Sequence, residues 1–353
     1  MKVEDLRYVI SVLKGDEPTG HPDWYTVLGF LTCHRVAGLF YNRAQKQGVL
    51  LPKKIESILQ SMFEAQKRKV VFMREQIRII IEKLSSVDAS YMLLKGSVLS
   101  NLAMDDFTIY EDGERSSNDI DLLVSSEEIT AVNKALCELG FVQGRYISKD
   151  NSIEEFSRLE IVKRRMNRGE IAPFVKKTDN AEIPFVEIDV NFSLGNTPLE
   201  KVALLNEMVS CSAVCEGKVS MRVPNEELFF LHLIMHQYKE SCLFFMVSRS
   251  KDLDLYKLAD IYYIFKADVL NVQRLNELIN KHVLQKEVGV VLNQVGEIFE
   301  DEGILNYAST FGTQPPIVID YENKKAYHWK ATAQERIRAF QMKEALEEVQ
   351  YDY

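Results

Sequence analysis

The chain has 353 residues, 46% of them apolar and 27% charged, with a formal net charge of -9. That length exceeds the usual single core and points to two or three structural units, and the composition is that of an ordinary globular protein rather than a disordered or fibrous one. The acidic balance argues against broad, sequence-independent binding to duplex nucleic acid, which neutralises many phosphates with basic side chains, and leaves room only for a local basic patch.

In chain order, MKVEDLRYVISVLKGDE breaks a short apolar periodicity with acids and lacks a small-residue cleavage site, so no signal peptide is expected. No window is apolar over the length a bilayer demands, and a cytoplasmic location is expected. Cys33, Cys137, Cys211, Cys215 and Cys242 form an odd, irregular set that fits reduced thiols; Cys211 and Cys215 have no second pair at zinc-site spacing.

From Trp24 to Leu84 apolar residues recur every three or four positions, which predicts an N-terminal helical segment within residues 1–86. From Ala89 the period changes. SYMLLKG reads as a buried strand, SVLSNLAM as a helix starting at Ser97, and DIDLLV as a second strand. SEEITAVNKALCELGF reads as a helix capped by Ser125 or Ser126 and ended by Gly140, and IPFVEIDVNFSL as a third strand. Residues 87–200 therefore form an α/β core with connections of mixed length. Residues 145–181 have weak periodicity and are expected to supply strands or a flap. Four helical patterns follow from Asn225, giving a helical domain over 201–305, and 306–353 reads as a linker and a charged C-terminal helix.

The chemistry concentrates in three places. On a strand, residues i and i+2 share a face, so Asp119 and Asp121 project side by side while Ile120 and Leu122 turn inward. Two carboxylates that close repel unless a cation lies between them, and a divalent metal of the magnesium type, which takes hard oxygen ligands and substrate phosphates, answers that need. Gly96-Ser97 follows a strand: glycine permits close backbone approach to a ligand, and the helix start favours a phosphate. Asp189, on the third strand, supplies a third carboxylate, with Glu187 on the same face as its competitor. Three carboxylates around two metals suit phosphoryl or nucleotidyl transfer.

Two further groups have plainer readings. His232 and His236 stand four apart on a helix, a spacing that can bind zinc, but no third ligand is evident and a packed or hydrogen-bonded pair is expected. KRRMNRG (163 to 169) and VKK (175 to 177) read first as solvated charge runs and second as clamps for a triphosphate or an acidic acceptor. Lys251, Lys257 and Asp260 are candidates to line a cleft.

The order Gly-Ser, apolar-flanked Asp-x-Asp, then a lone Asp on a later strand resembles the polymerase-β-type nucleotidyltransferase superfamily. Within it, "YMLLKG", "DIDLLV" preceded by Arg115, "VEIDVNF", "LHLIMH" and "DLYKLADI" look most like a poorly characterised bacterial nucleotidyltransferase family often encoded near peptide natural-product genes, lasso-peptide clusters included. The similarity runs from about Cys33-His34-Arg35-Val36 to Phe265.

The resemblance implies an α+β fold: a polymerase-β-like core with a mixed sheet, flanked by helical blocks. It implies that Asp119 and Asp121 bind two Mg²⁺ ions and that Asp189 completes the acceptor-side metal and helps deprotonate the acceptor hydroxyl. Gly96 and Ser97 would hold the phosphates of a nucleoside triphosphate, with Lys95, Arg115 or both meeting them. The reaction implied is transfer of a nucleoside monophosphate or related phosphate-linked group to a hydroxyl or phosphate of a peptide or small molecule. Transfer from a nucleotide-activated sugar, or a non-catalytic nucleotide-binding or antitoxin-like role, are the alternatives, and the intact acidic set argues against the last. The gap from Ser97 to Asp119 exceeds the roughly ten residues common in the wider superfamily, as is usual in the narrower family. Asn191 stands where that family often has histidine.

Overall fold

A computed structural model covers the chain and describes all residues except 88, 102–108, 168, 196–200, 313–314, 340–344, 352–353 and the side chain of residue 167. It divides into two compact units, Met1–Glu64 with Phe230–Tyr353, and Ala65–Phe229. Among the described residues no helix is long and apolar enough to cross a membrane.

The N-terminal helices are α1 (Val3–Lys14), α2 (Trp24–Cys33), α3 (Ala37–Lys46) and α4 (Lys53–Ser86). The run from Trp24 onward, read as one helical stretch, breaks at 34–36. Arg35 takes a left-handed backbone there (φ 58°), and buried His34 is fixed by the Leu255 N–H, which donates to its Nδ1 at 3.3 Å. In α4 the buried residues Ile55, Leu59, Val70, Met73, Ile77, Ile80 and Leu84 follow the three- and four-residue spacing that gives a helix one apolar stripe.

The second unit is built on a six-stranded sheet. Its strands are β1 (Tyr91–Leu93), β2 (Asp119–Val124), β3 (Val142–Ile147), β4 (Ser152–Glu155), β5 (Phe174–Lys177) and β6 (Phe185–Asn191), in the order β1-β2-β6-β5-β3-β4. Only β2 and β6 run parallel; the other neighbours are antiparallel, so the sheet is mixed. Ile120, Leu122, Ile188 and Val190 are fully buried. The short helix α5 (Lys95–Leu99) follows β1 and packs on β2. It starts at Lys95, two residues before the expected start at Ser97, because the chain already turns where Lys95 adopts φ 51°, and it ends at Leu99; of the remainder expected as helix, Ser100 and Asn101 form a turn and 102–104 lie outside the described residues.

Helix α6 (Ile129–Glu138) is entered through Glu128 with no side-chain cap, so neither Ser125 nor Ser126 caps it. The Glu128 N–H bonds the Ser125 carbonyl in a preceding turn instead. Gly140 ends it as expected: at φ 86° its N–H bonds the Cys137 carbonyl at 2.9 Å, and the Phe141 N–H bonds Leu136 at 3.1 Å. The weakly periodic 145–181 stretch supplies the end of β3, β4, α7 (Arg158–Asn167) and β5. Then come α8 (Val202–Ser210) and the hairpin of β7 (Ala213–Cys215) with β8 (Met221–Val223).

The remaining helices are α9 (Glu226–Ser241), α10 (Phe244–Val247), α11 (Leu255–Lys266), α12 (Val272–His282), α13 (Gln285–Phe299) and α14 (Glu302–Ser309). Helix α13 packs against α1, α11, α12 and α14. The charged C-terminal helix expected over the tail is not what forms. Residues 318–349 hold β9 (Val318–Asp320), β10 (Lys325–Trp329), the five-residue helix α15 (Ala333–Ile337) and β11 (Leu346–Val349), an antiparallel sheet with β10 central. Asp320 makes the β9–β10 turn by accepting the Glu322 and Asn323 N–H groups, each at 3.1 Å. Val318 and Trp329 then bury against Val247, so distant pairing overrides local helix preference.

Candidate active site

The site is made by two neighbouring strands. In the parallel pair β2 and β6, Asp119 stands opposite Glu187 and Asp121 opposite Asp189. Because side chains alternate along a strand, all four carboxylates share one face of the sheet while Ile120 and Ile188 fill the other. One oxygen from each of Asp119, Asp121 and Asp189 lies within 4.8 Å of the others, the only cluster of three or more potential metal ligands among the described residues. Glu187 is not part of it, so the structure groups Asp189, rather than its competitor, with the pair.

The electrostatics are those of a site short of positive charge. Lys95 donates from Nζ to Asp121 Oδ1 at 2.7 Å. Asp121 is 2% exposed, and burial pushes its carboxyl up to about 6, with Asp119 adding to the shift and Lys95 and Arg115 opposing it. Asp189 is raised well above the usual carboxylate range, first by burial and then by Asp121 and Asp119. Glu187 is raised by burial and by Asp119, with Arg164 pulling the other way. Burial by itself would lower Lys95, yet Asp121, Asp119 and Asp189 together hold it above the usual lysine value. One ammonium therefore faces Asp121 and Asp189, whose ionised forms further positive charge would favour.

The phosphate-cradle candidates gather at the same place. A methyl group on Gly96 would stand 2.9 Å from both Cβ and Oγ of Ser117 and 3.2 Å from an Arg115 guanidinium nitrogen, so only glycine lets the segments approach this closely. Arg115 is buried; its guanidinium donates to the Ser116 carbonyl, and its own carbonyl accepts the Ser100 hydroxyl at 3.0 Å. Ser97 is 2% exposed, and its Oγ has no hydrogen-bond partner among the described residues. Ser97 does not cap a helix. It is the third residue of α5, a buried hydroxyl without an acceptor among the described residues.

Sequence reasoning missed two contributions. Ser117 donates from Oγ to Asp119 Oδ1 at 2.8 Å and fixes that carboxylate; its only signal was a serine two residues before the first aspartate. A second layer holds α5 in position. Asn101 Nδ2 donates to the Ser97 carbonyl at 2.8 Å, Arg74 Nε donates to Asn101 Oδ1 at 2.8 Å, and Asp112 binds both Arg74 and Lys218. Despite burial, those two cations hold Asp112 below the usual carboxylate range. Nothing local marks these residues as a group.

Other candidates fall elsewhere. His232 and His236 stack with ring centroids 6.5 Å apart, and His236 Nε2 lies 3.4 Å from Glu240; they belong to no three-ligand cluster among the described residues. None of the five cysteines is in a disulfide. Within the charged runs, Arg164 stacks over Phe156 at 4.5 Å. Lys251 and Lys257 line a pocket of the other unit, whereas Asp260 is buried.

Three acidic side chains on adjacent strands, backed by a glycine that permits backbone approach, by half-buried Lys95 and by buried Arg115, form an arrangement able to hold divalent cations and a polyphosphate. No curated protein and no solved structure matches the chain. The family model described as "uncharacterised nucleotidyltransferase" matches residues 20–300, most of its length, and the protein belongs to that family.

Proposed function

We propose that the protein is a Mg²⁺-dependent nucleotidyltransferase with a polymerase-β-type core, moving a nucleoside monophosphate or related phosphate-linked group from a nucleoside triphosphate to a hydroxyl or phosphate of a peptide or small molecule. The observation that carries this is the convergence of Asp119, Asp121 and Asp189 oxygens within 4.8 Å on two parallel strands, next to Lys95 and Gly96.

The residues fit a divalent metal: three hard oxygen donors meet at one point, and burial and the neighbouring carboxylates hold Asp121 and Asp189 above the usual carboxylate range although Lys95 stands beside them. Asp119, Asp121 and Asp189 would hold it, and when bound it supplies Lewis acidity to the phosphoryl oxygens and lowers the pKa of the attacking hydroxyl. The protein's own residues do the rest. Asp189, with its raised pKa, takes the acceptor proton on a carboxylate oxygen. Lys95 and Arg115 draw the phosphates in by charge-assisted hydrogen bonds. Gly96 lets Arg115 and Ser117 close on the start of α5, and the Ser97 hydroxyl offers a donor that nothing inside the described fold uses.

The net charge of -9 favours a metabolite or peptide acceptor over a polynucleotide. The lasso-peptide setting implied by the resemblance makes a precursor peptide the first acceptor to try, and cysteines outside any disulfide with a need for nucleoside triphosphates suit a cytoplasmic location. Incubation with Mg²⁺, each labelled nucleoside triphosphate and candidate peptides is expected to give a mass increase matching a nucleotidyl group. That product should vanish in Asp121→Asn of unchanged circular dichroism; equal product from the two proteins would overturn the reading. A mass increase matching a sugar would instead identify a glycosyl donor.

A further inference from the structure

The Met1–Glu64 and Phe230–Tyr353 unit holds a pocket of about 670 Å³ that the catalytic reading does not use. Its lining includes Arg35, Arg249, Lys251 and Lys257, with Glu240 and Asp254 as the acids among the described lining residues. The charges do not cancel. Lys257, 11% exposed at its side chain, is paired twice, to Glu240 and to Asp254 Oδ2 at 3.2 Å, and Glu240 also meets His236. Those acids are thereby spent. Among the described residues no carboxylate pairs with Arg35, Arg249 or Lys251, so three uncompensated cations border one concavity in a chain of net charge -9.

Three of the four cations rest on aromatic rings. The Arg35 guanidinium lies 5.3 Å from the centre of the Tyr256 ring, with a nitrogen 3.5 Å from the Tyr256 hydroxyl, and the Lys257 ammonium lies 5.4 Å from the same ring. Arg249 stacks over Phe245 at 3.9 Å. Guanidinium groups oriented by aromatic faces keep their N–H fork free for an anion, and the fork matches phosphate geometry. Pockets of this volume accommodate small molecules rather than chains.

We propose that this pocket binds a phosphate-bearing small molecule of up to mononucleotide size, through Arg35, Arg249 and Lys251, with Lys257 as the buried base of the site. The anion arrives either as free pyrophosphate or as the phosphates of a nucleotide.

Titration calorimetry on the full chain in EDTA, which silences any metal-dependent binding at the aspartates, tests it with pyrophosphate, ATP and adenosine. Pyrophosphate and ATP are expected to bind, more weakly as salt rises, and adenosine is not. Tighter binding of ATP identifies a nucleotide as the ligand; equal binding identifies the anion alone. The exposed double variant Arg249→Gln/Lys251→Gln should lose affinity by about tenfold or more, while the charge-matched Lys53→Gln/Lys54→Gln, exposed and outside the pocket lining, should bind as the wild type does. Absence of binding by both phosphate ligands at millimolar concentration would overturn the proposal. So would adenosine binding as well as ATP, an unaltered Arg249→Gln/Lys251→Gln variant, or an equal loss in Lys53→Gln/Lys54→Gln.

Discussion

Two buried aspartates, one in each unit, meet a cation in opposite ways. Asp252 faces the Arg336 guanidinium alone; both are buried, and Arg336 stacks 3.9 Å over Trp329. Asp121 meets Lys95 at 2.7 Å, but Asp119 and Asp189 crowd the same point and Glu187 stands on the same face. The first pair is balanced and the second is not. A closed ion pair has no use for a further ion, whereas carboxylates in excess of nearby positive charge are a standing demand for one. Charge balance, more than burial, separates the structural aspartate from the candidate ligand.

That contrast can be broken by substitution. Asp189→Asn should cut transfer by about a thousandfold, the scale of several kcal/mol of transition-state charge stabilisation, while raising the metal-free melting temperature, because a repelling charge is gone. Glu187→Gln should keep most of the activity. Melting of the metal-free protein checks the first half and product formation the second; an Asp189→Asn protein that melts lower than wild type would mean the carboxylate is structural after all.

At the balanced site the expectation reverses. Arg336→Ala strands Asp252 in the interior and should destabilise by about 3–5 kcal/mol, measured by the denaturant midpoint, and pairing it with Asp252→Leu should recover much of the loss. A single variant as stable as wild type would show that the pair carries no weight.

The third test is pH. Asp121 rises from 3.8 to about 6 on folding, and Asp189 rises as well. The folded metal-free protein thus holds protons that the unfolded chain releases, so their stabilising contribution is complete below the unfolded value and is lost as pH climbs through about 6 and beyond. A divalent ion needs the ionised forms. Mg²⁺ should therefore raise the melting temperature more at pH 8 than at pH 5, by a free energy of about 2.7 kcal/mol at a hundredfold excess over its dissociation constant. Equal gains at both pH values would place the ion elsewhere. The smallest effect expected is for Gly96→Ala, about 1–3 kcal/mol of overpacking against Ser117 and Arg115, read from thermal melts.

Much of the core was legible from local pattern. The period-two run DIDLLV became β2 with both aspartates on one face, and FVEIDVN became β6, because alternation is set by the strand itself. The glycine after β1 was legible as a point of close approach. The capping serines were misread, since Ser125 and Ser126 lie in a turn before α6. The tail was misread too: Val318 and Trp329 bury against Val247, far earlier in the chain, and no local period encodes a strand that depends on its neighbours.

The sequence by itself determined that two acidic strands and a Gly-Ser turn exist, because those features follow from alternation and from the steric freedom of glycine. Only the tertiary structure decided that β2 and β6 lie side by side, in the register that sets Asp121 against Asp189, and that Lys95 closes on Asp121. Register and ion pairing are settled by packing between segments distant in the chain, so no single stretch of residues carries them.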